Sequence, residues 1–143
     1  MTTQNLDKFK EICSNIMHDI PSSYTWKWKW DEEFYTALVV FETKYTDTIF
    51  FTVSKEFDDK WDYSTVDNSA EYINVFTNSV GILPGQIIFT STEESALVLF
   101  ATWWPWGDGE RISLRIGMFS PEEQVLNRKE IKEQLAEWFA LSE

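Results

Sequence analysis

Ala37-Leu38-Val39-Val40-Phe41-Glu42-Thr43 returns 59 residues further on as Ala96-Leu97-Val98-Leu99-Phe100-Ala101-Thr102, identical except at Val40/Leu99 and Glu42/Ala101. Each run is a short apolar block bounded by polar residues, the pattern of a strand with both faces covered. At the same spacing Thr36 meets Ser95, Trp30 meets Phe89, Phe76 meets Leu135 and Val80 meets Phe139, while Asn68 and Glu71 meet Asn127 and Glu130. Together these matches predict an internal βββα duplication, residues 22–81 and 82–143, after an N-terminal helix over 4–20.

The flanking segments fit that plan. Leu6, Phe9, Ile12, Cys13, Ile16, Met17 and Ile20 recur at three- and four-residue steps, one helical stripe, with Thr3 or Asn5 to cap it and Pro21 to end it. Trp26, Trp28 and Trp30 alternate with Lys27 and Lys29, which is strand language. Phe34–Thr43 reads as a second strand. Thr48–Ser54, with Ile49, Phe51 and Val53 on one side, reads as a third. Residues 56–67 read as an acidic loop. Asn68 and Glu71 then form a relaxed capping box for a second helix, with Tyr72, Ile73, Phe76 and Val80 as its stripe and Gly81 at its end. In the second half, strands are predicted over 86–91, 95–104 and 111–119. Arg111–Phe119 alternates cleanly, with Ile112, Leu114, Ile116 and Met118 inward. The last helix carries Ile131, Leu135, Trp138 and Phe139, and starts at either Ser120 or Asn127.

The order α-βββ-α-βββ-α predicts a single α+β domain over 1–143. Consecutive strands pair through short loops into one antiparallel sheet of five or six strands, with helices mainly on one face. The second face then needs cover, and Leu38, Val40, Leu97 and Leu99 are expected to point that way. A homodimer partner, a protein client or a small ligand would supply it. The helix–strands–helix–strands–helix layout is similar to that of the chaperones of bacterial type III secretion, which implies a protein client.

Composition narrows the function. The chain has 143 residues, 24 acidic and 12 basic, a net charge of −12, one His and one Cys. One Cys forms no disulfide framework, and a Cys/His metal cluster needs more ligands. Cys13 lies on the apolar stripe of the first helix and His18 lies off it, so they form no dyad. The acidity opposes phosphate binding, and the Trp and Lys of 26–30 point to opposite faces, so no nucleic-acid partner is expected. Residues 1–11 carry Asp7 and Glu11 and no apolar h-region, and no apolar run approaches membrane-spanning length. A cytoplasmic protein with no membrane partner is therefore expected.

Two stretches stand out as candidate sites. Trp103-Trp104-Pro105-Trp106-Gly107-Asp108-Gly109 places three Trp near a hairpin tip, and Trp is enriched in binding hot spots. Asp58, Asp59 and Asp62 form Asp-Asp-x-x-Asp in the acidic stretch; EF-hand spacing is absent, so no metal is assigned. Residues 31–81 sum to −8, a field that steers basic partners. The expected partner-binding residues are Trp103, Trp104, Trp106, Asp108, Asp58, Asp59 and Asp62, with no catalytic residues and no cofactor. The leading expectation is a non-enzymatic, acidic protein-binding module, immunity- or chaperone-like, with a basic protein partner. The alternatives are a ligand-binding or enzymatic domain using the second sheet face, and a homodimer with a purely structural role.

Overall fold

A computed structural model describes residues 6–19, 27–94, 96–121 and 126–141. The elements are α1 (Asp7–Asp19), β1 (Lys29–Asp31), β2 (Thr36–Glu42), α2 (Thr46–Glu56), β3 (Asp59–Asp62), α3 (Glu71–Val80), β4 (Ile87–Thr90), β5 (Val98–Pro105), β6 (Arg111–Phe119) and α4 (Arg128–Trp138). The expected caps Thr3 and Asn5, together with Ile20, Pro21, Trp26 and Ser95, lie outside the described residues. The six strands form one antiparallel sheet in the order β1-β2-β6-β5-β4-β3. This is the α+β domain with a six-stranded antiparallel sheet that the element order predicts.

The strand β6 shows why the sheet holds. Its period-two pattern puts Ile112, Leu114, Ile116 and Met118 on one face, all buried. The two matched segments contribute its two neighbours: Val39 of β2 and Trp103 of β5 both stand opposite Leu114. On this first face α1 contributes Phe9, Ile12, Cys13 and Ile16, α2 contributes Ile49 and Val53, and α4 contributes Leu135. All join one core with Ala37, Val39, Leu97 and Leu99. Phe139, just past the end of α4, rests 4.4 Å from Trp28, ring to ring. The start of α4 is Asn127, whose side chain accepts from Glu130 N–H while Glu130 reaches back to Asn127 N–H. That reciprocal capping box decides between the two predicted starts.

Several expectations change. Thr48–Ser54 is helical rather than a third strand. Ile49, Val53 and Phe57, one turn apart each, are buried, whereas Phe51, which the strand reading placed inside, is 68% exposed. The acidic stretch is not wholly a loop, since Asp59–Asp62 pairs with β4 as the sheet's edge strand. Asn68 belongs to a 3-10 turn, and α3 begins after Ala70, so the relaxed capping box does not form. Gly81, at φ +85°, does end α3, its N–H donating to Thr77 C=O. The second half keeps βββα, while in the first half a helix stands where the third strand was expected.

Leu97 and Leu99 share the first face with Ala37 and Val39, not the second face with Leu38. The pocket expected around Leu38, Val40, Leu97 and Leu99 therefore has no common face to form on. The second face is covered by its own chain. Phe76 of α3 stacks on Phe119 at 4.1 Å and meets Phe100 at 4.5 Å. Beneath them β6 uses Gly117, where a Cβ would stand 2.8 Å from Phe100 Cζ and from Thr36 Cγ2. At the other end Arg115 lies between Phe34 (5.0 Å) and Trp104 (4.9 Å) and pairs with Asp31 at 2.9 Å. Helices α1, α2 and α4 thus cover one face and α3 part of the other.

Candidate partner-binding surface

The three Trp of the predicted hairpin tip separate in space. Trp103 belongs to β5, continues the row Leu97, Leu99, Ala101, and is 4% exposed against Phe41 and Phe50. It is a core residue of the strand rather than part of an exposed tip. Trp104 points to the second face, edge-on to Phe34 at 5.0 Å. Only Trp106 lies in the loop, and it is tethered there. Its indole N–H donates to Ser113 Oγ at 2.7 Å, and the Arg111 guanidinium lies 4.0 Å above the ring. Asp108 holds that guanidinium through Nε and Nη2 and accepts from the N–H groups of Glu110 and Arg111. These bonds hold its carboxyl below the usual range, the Glu110 N–H foremost.

The acidic residues divide in the same way. Asp58 accepts from both the N–H and the hydroxyl of Thr92, at 2.7 and 2.8 Å, joining the start of β3 to the loop after β4. Asp62 accepts from the Ser64 and Thr65 N–H and hydroxyl groups, closing the turn after β3. Thr65 also engages the Asp62 backbone, its Oγ1 accepting from Asp62 N–H and its N–H donating to Asp62 C=O. The edge strand is thereby blunted at its end, and with its charges it discourages strand addition. Asp59 is exposed at the head of β3.

Asp58 and Asp62 are both held below the ordinary carboxylate range, Asp58 chiefly by Thr92 N–H and Asp62 chiefly by the Ser64 hydroxyl; desolvation opposes each shift. A depressed folded pKa gives stability that is present above the unfolded value, about 3.9, and lost as pH falls through the folded one. Asp58→Asn keeps an acceptor for Thr92 but cannot titrate. It is expected to lose less stability than the parent between about pH 5 and pH 2. Urea unfolding at both pH values checks this, and parallel losses would contradict it.

What the sequence did not reveal is the corner between α2 and β3. Helix α2 crosses the first face beside β4 and β5, with Phe50 against Phe89 (5.6 Å) and Trp103 (5.0 Å). It is docked on α1 by Asn15 Nδ2 donating to Glu56 at 3.0 Å and by the Lys55–Asp19 ion pair. Beyond Phe50 the corner is open. One groove of about 520 Å³ is lined by Thr46, Asp47, Phe50, Phe51, Ser54 and Trp103. A second, of about 230 Å³, is lined by Ser54, Phe57, Asp58, Asp59, Lys60 and Phe89. Ser54 borders both, and its Oγ is buried without a hydrogen-bond partner among the described residues. Lys60 Nζ lies 5.3 Å over the Phe50 ring and Lys55 Nζ 5.9 Å over the Phe51 ring. The corner joins the acidic stretch, which was predicted, to half-buried Phe50 and exposed Phe51 of α2, which were not. Helical spacing from Ile49 to Val53 to Phe57 is the signal that would have turned Phe51 outward.

Elsewhere, chemically capable groups are isolated. Cys13 is buried, and desolvation pushes its thiol pKa far above the usual range. His18 is exposed, 3.5 Å from Asp19. Among the described residues no group of three or more His, Cys, Asp or Glu side chains is placed to hold a metal ion. No helix among them is long and apolar enough to cross a membrane. Compared with protein families, curated proteins and solved structures, the chain matches none.

Proposed function

We propose that this chain is a non-enzymatic, acidic protein-binding module, immunity- or chaperone-like in its working, that docks another protein at the corner between α2 and β3. The observation that carries this reading is Phe51. It is 68% exposed beside Phe50, at the lip of the larger groove. Large aromatic side chains around a concave apolar site are the usual anchors of protein interfaces. The acidic rim adds steering of the encounter. Trp106, the leading candidate from sequence, supports the reading less, because Ser113 already accepts from its N–H and it is 39% exposed against 68% for Phe51. The reading places the protein in a reducing compartment, the cytoplasm, with the lone Cys13 as its support.

The test compares two equally exposed apolar positions on different helices. Val75 of α3 is 64% exposed. Wild type, Phe51→Asp and Val75→Asp are used as baits in lysate of the source cells, after each is shown to melt as wild type does. Wild type and Val75→Asp are expected to retain the same protein, and Phe51→Asp to lose it. Retention by all three baits, or by none, would overturn the reading.

A further inference from the structure

Helix α2 presents two matching shapes side by side. Phe51 is a knob that stands out into solvent. Next to it is a hole, the groove of about 520 Å³ walled by Phe50, Trp103 and Thr46. A patch that meets itself across a two-fold axis must be complementary to itself, and a knob beside a hole satisfies that condition.

The charges at the corner are self-complementary as well. Most of them are already engaged within the chain. Lys55 pairs with Asp19 and Lys8 with Glu94. Glu56 accepts from Asn15, Asp58 from Thr92, and Asp62 closes its own turn. Asp59 stands in register with Thr90 and Phe100, which turns it to the second face. Among the described residues, the Asp47 carboxylate and the Lys60 ammonium are left without an ion-pair partner. They stand at opposite ends of the grooves. Asp47 is in the first turn of α2, and Lys60 is on β3, beyond the last turn. Phe50 and Phe51 come between them.

We infer that this corner is a self-association surface, closed in the free protein by a second copy of the chain. Two copies of α2 run antiparallel about a two-fold axis near Phe51. Phe51 of each copy seats in the groove of the other, against Phe50 and Trp103. Asp47 of each then faces Lys60 of the other. The net charge of −12 repels the two chains as wholes. At physiological salt that repulsion is screened beyond about 8 Å, so the groups at the contact decide. A face one helix wide falls below the roughly 1,200 Å² of total buried surface that stable interfaces need, so the pair forms and parts with concentration. A partner protein that docks at Phe51 displaces the second copy. The inference goes beyond the reading above, and shares only its corner.

Sedimentation equilibrium of the full chain, from low micromolar to near-millimolar concentration, tests it. The samples are wild type, Val75→Asp, Phe51→Asp, Asp47→Lys, Lys60→Asp and the double variant Asp47→Lys/Lys60→Asp, each first shown by its melt to be folded. Wild type and Val75→Asp are expected to rise together from the mass of one chain towards that of two. Phe51→Asp is expected to stay at the mass of one. Each single reversal sets like charges against each other twice, and is expected to weaken pairing at least about tenfold. The double reversal restores opposite signs only where Asp47 faces Lys60 of another copy, and is expected to recover most of the loss. Wild type that stays monomeric, pairing that survives Phe51→Asp, or a double reversal no better than the single ones would each overturn the inference. Monomeric wild type that still retains another protein through Phe51 would overturn the inference and leave the docking reading standing. A Phe51-dependent dimer whose bait retains no other protein would support the inference and overturn that reading.

Discussion

Trp103→Ala is expected to destabilise the fold by about 3–5 kcal/mol, the usual cost of truncating a large core aromatic. The indole is 4% exposed and stands on β5 opposite Leu114 of β6 and Ile87 of β4. Phe41 from β2 and Phe50 from α2 meet its ring at 5.2 and 5.0 Å. Removing it strips the surface on which α2 rests, so the cavity cannot close without moving the helix. Trp106→Ala, in the adjoining loop, loses one hydrogen bond and a stacked guanidinium at an exposed site. It is expected to cost about 1 kcal/mol or less. Urea denaturation of both variants separates these outcomes. Equal losses would mean that Trp103 and Trp106 share one surface role, as the sequence pattern suggested.

Asp31→Ala is expected to cost about 3 kcal/mol. Asp31 Oδ2 accepts from Arg115 Nε at 2.9 Å, from Phe34 N–H and from the Thr36 hydroxyl. The Asp31 and Arg115 side chains are only 12% and 13% exposed, and Phe34 and Trp104 flank the guanidinium. Removing the carboxylate leaves a largely desolvated cation and a buried hydroxyl without their acceptor, and breaking such pairs from one side typically costs 3–5 kcal/mol. The lower end applies because some solvent reaches both groups. Replacing both partners, Asp31→Ala with Arg115→Met, should recover much of the loss, since the uncompensated charge goes with it. A double-mutant cycle by urea unfolding measures this. A double variant no more stable than Asp31→Ala would show that the site needs the ion pair for its geometry.

The elements that could be read from sequence are those in which one period has no rival. Arg111–Phe119 alternates over its whole length and is β6 to the residue. The stripe of Phe9, Ile12, Cys13 and Ile16 fits only a helix, and those four residues are buried in α1. Thr46–Glu56 was different. Thr, Ile, Phe and Val favour strands in isolation, and Ile49, Phe51 and Val53 satisfy period two. Ile49, Phe50, Val53 and Phe57 satisfy the helical period equally, and packing on the sheet and on α1 decides for the helix. That one change of period hid the candidate surface. It turned Phe51 to solvent and put Phe50 over Trp103. Trp103 was misplaced for a related reason. The strand predicted over 95–104 already held it, but three Trp before Gly107 suggested an exposed recognition tip, whereas the alternation from Leu97 carries Trp103 to the core face. The acidity of 56–67 was plain, yet which carboxylates build turns and which face solvent depends on contacts with Thr92 and Ser64. Those partners are not marked in the sequence.

On the proposed reading α2 and β3, rather than the Trp106 hairpin, carry the docking surface. Site-specific photocrosslinking in the source cells tests it most directly. A photoreactive phenylalanine analogue replaces Phe51 in one variant and Trp106 in another. A discrete heavier adduct is expected from position 51 and none from position 106. An adduct from position 106 alone would contradict it.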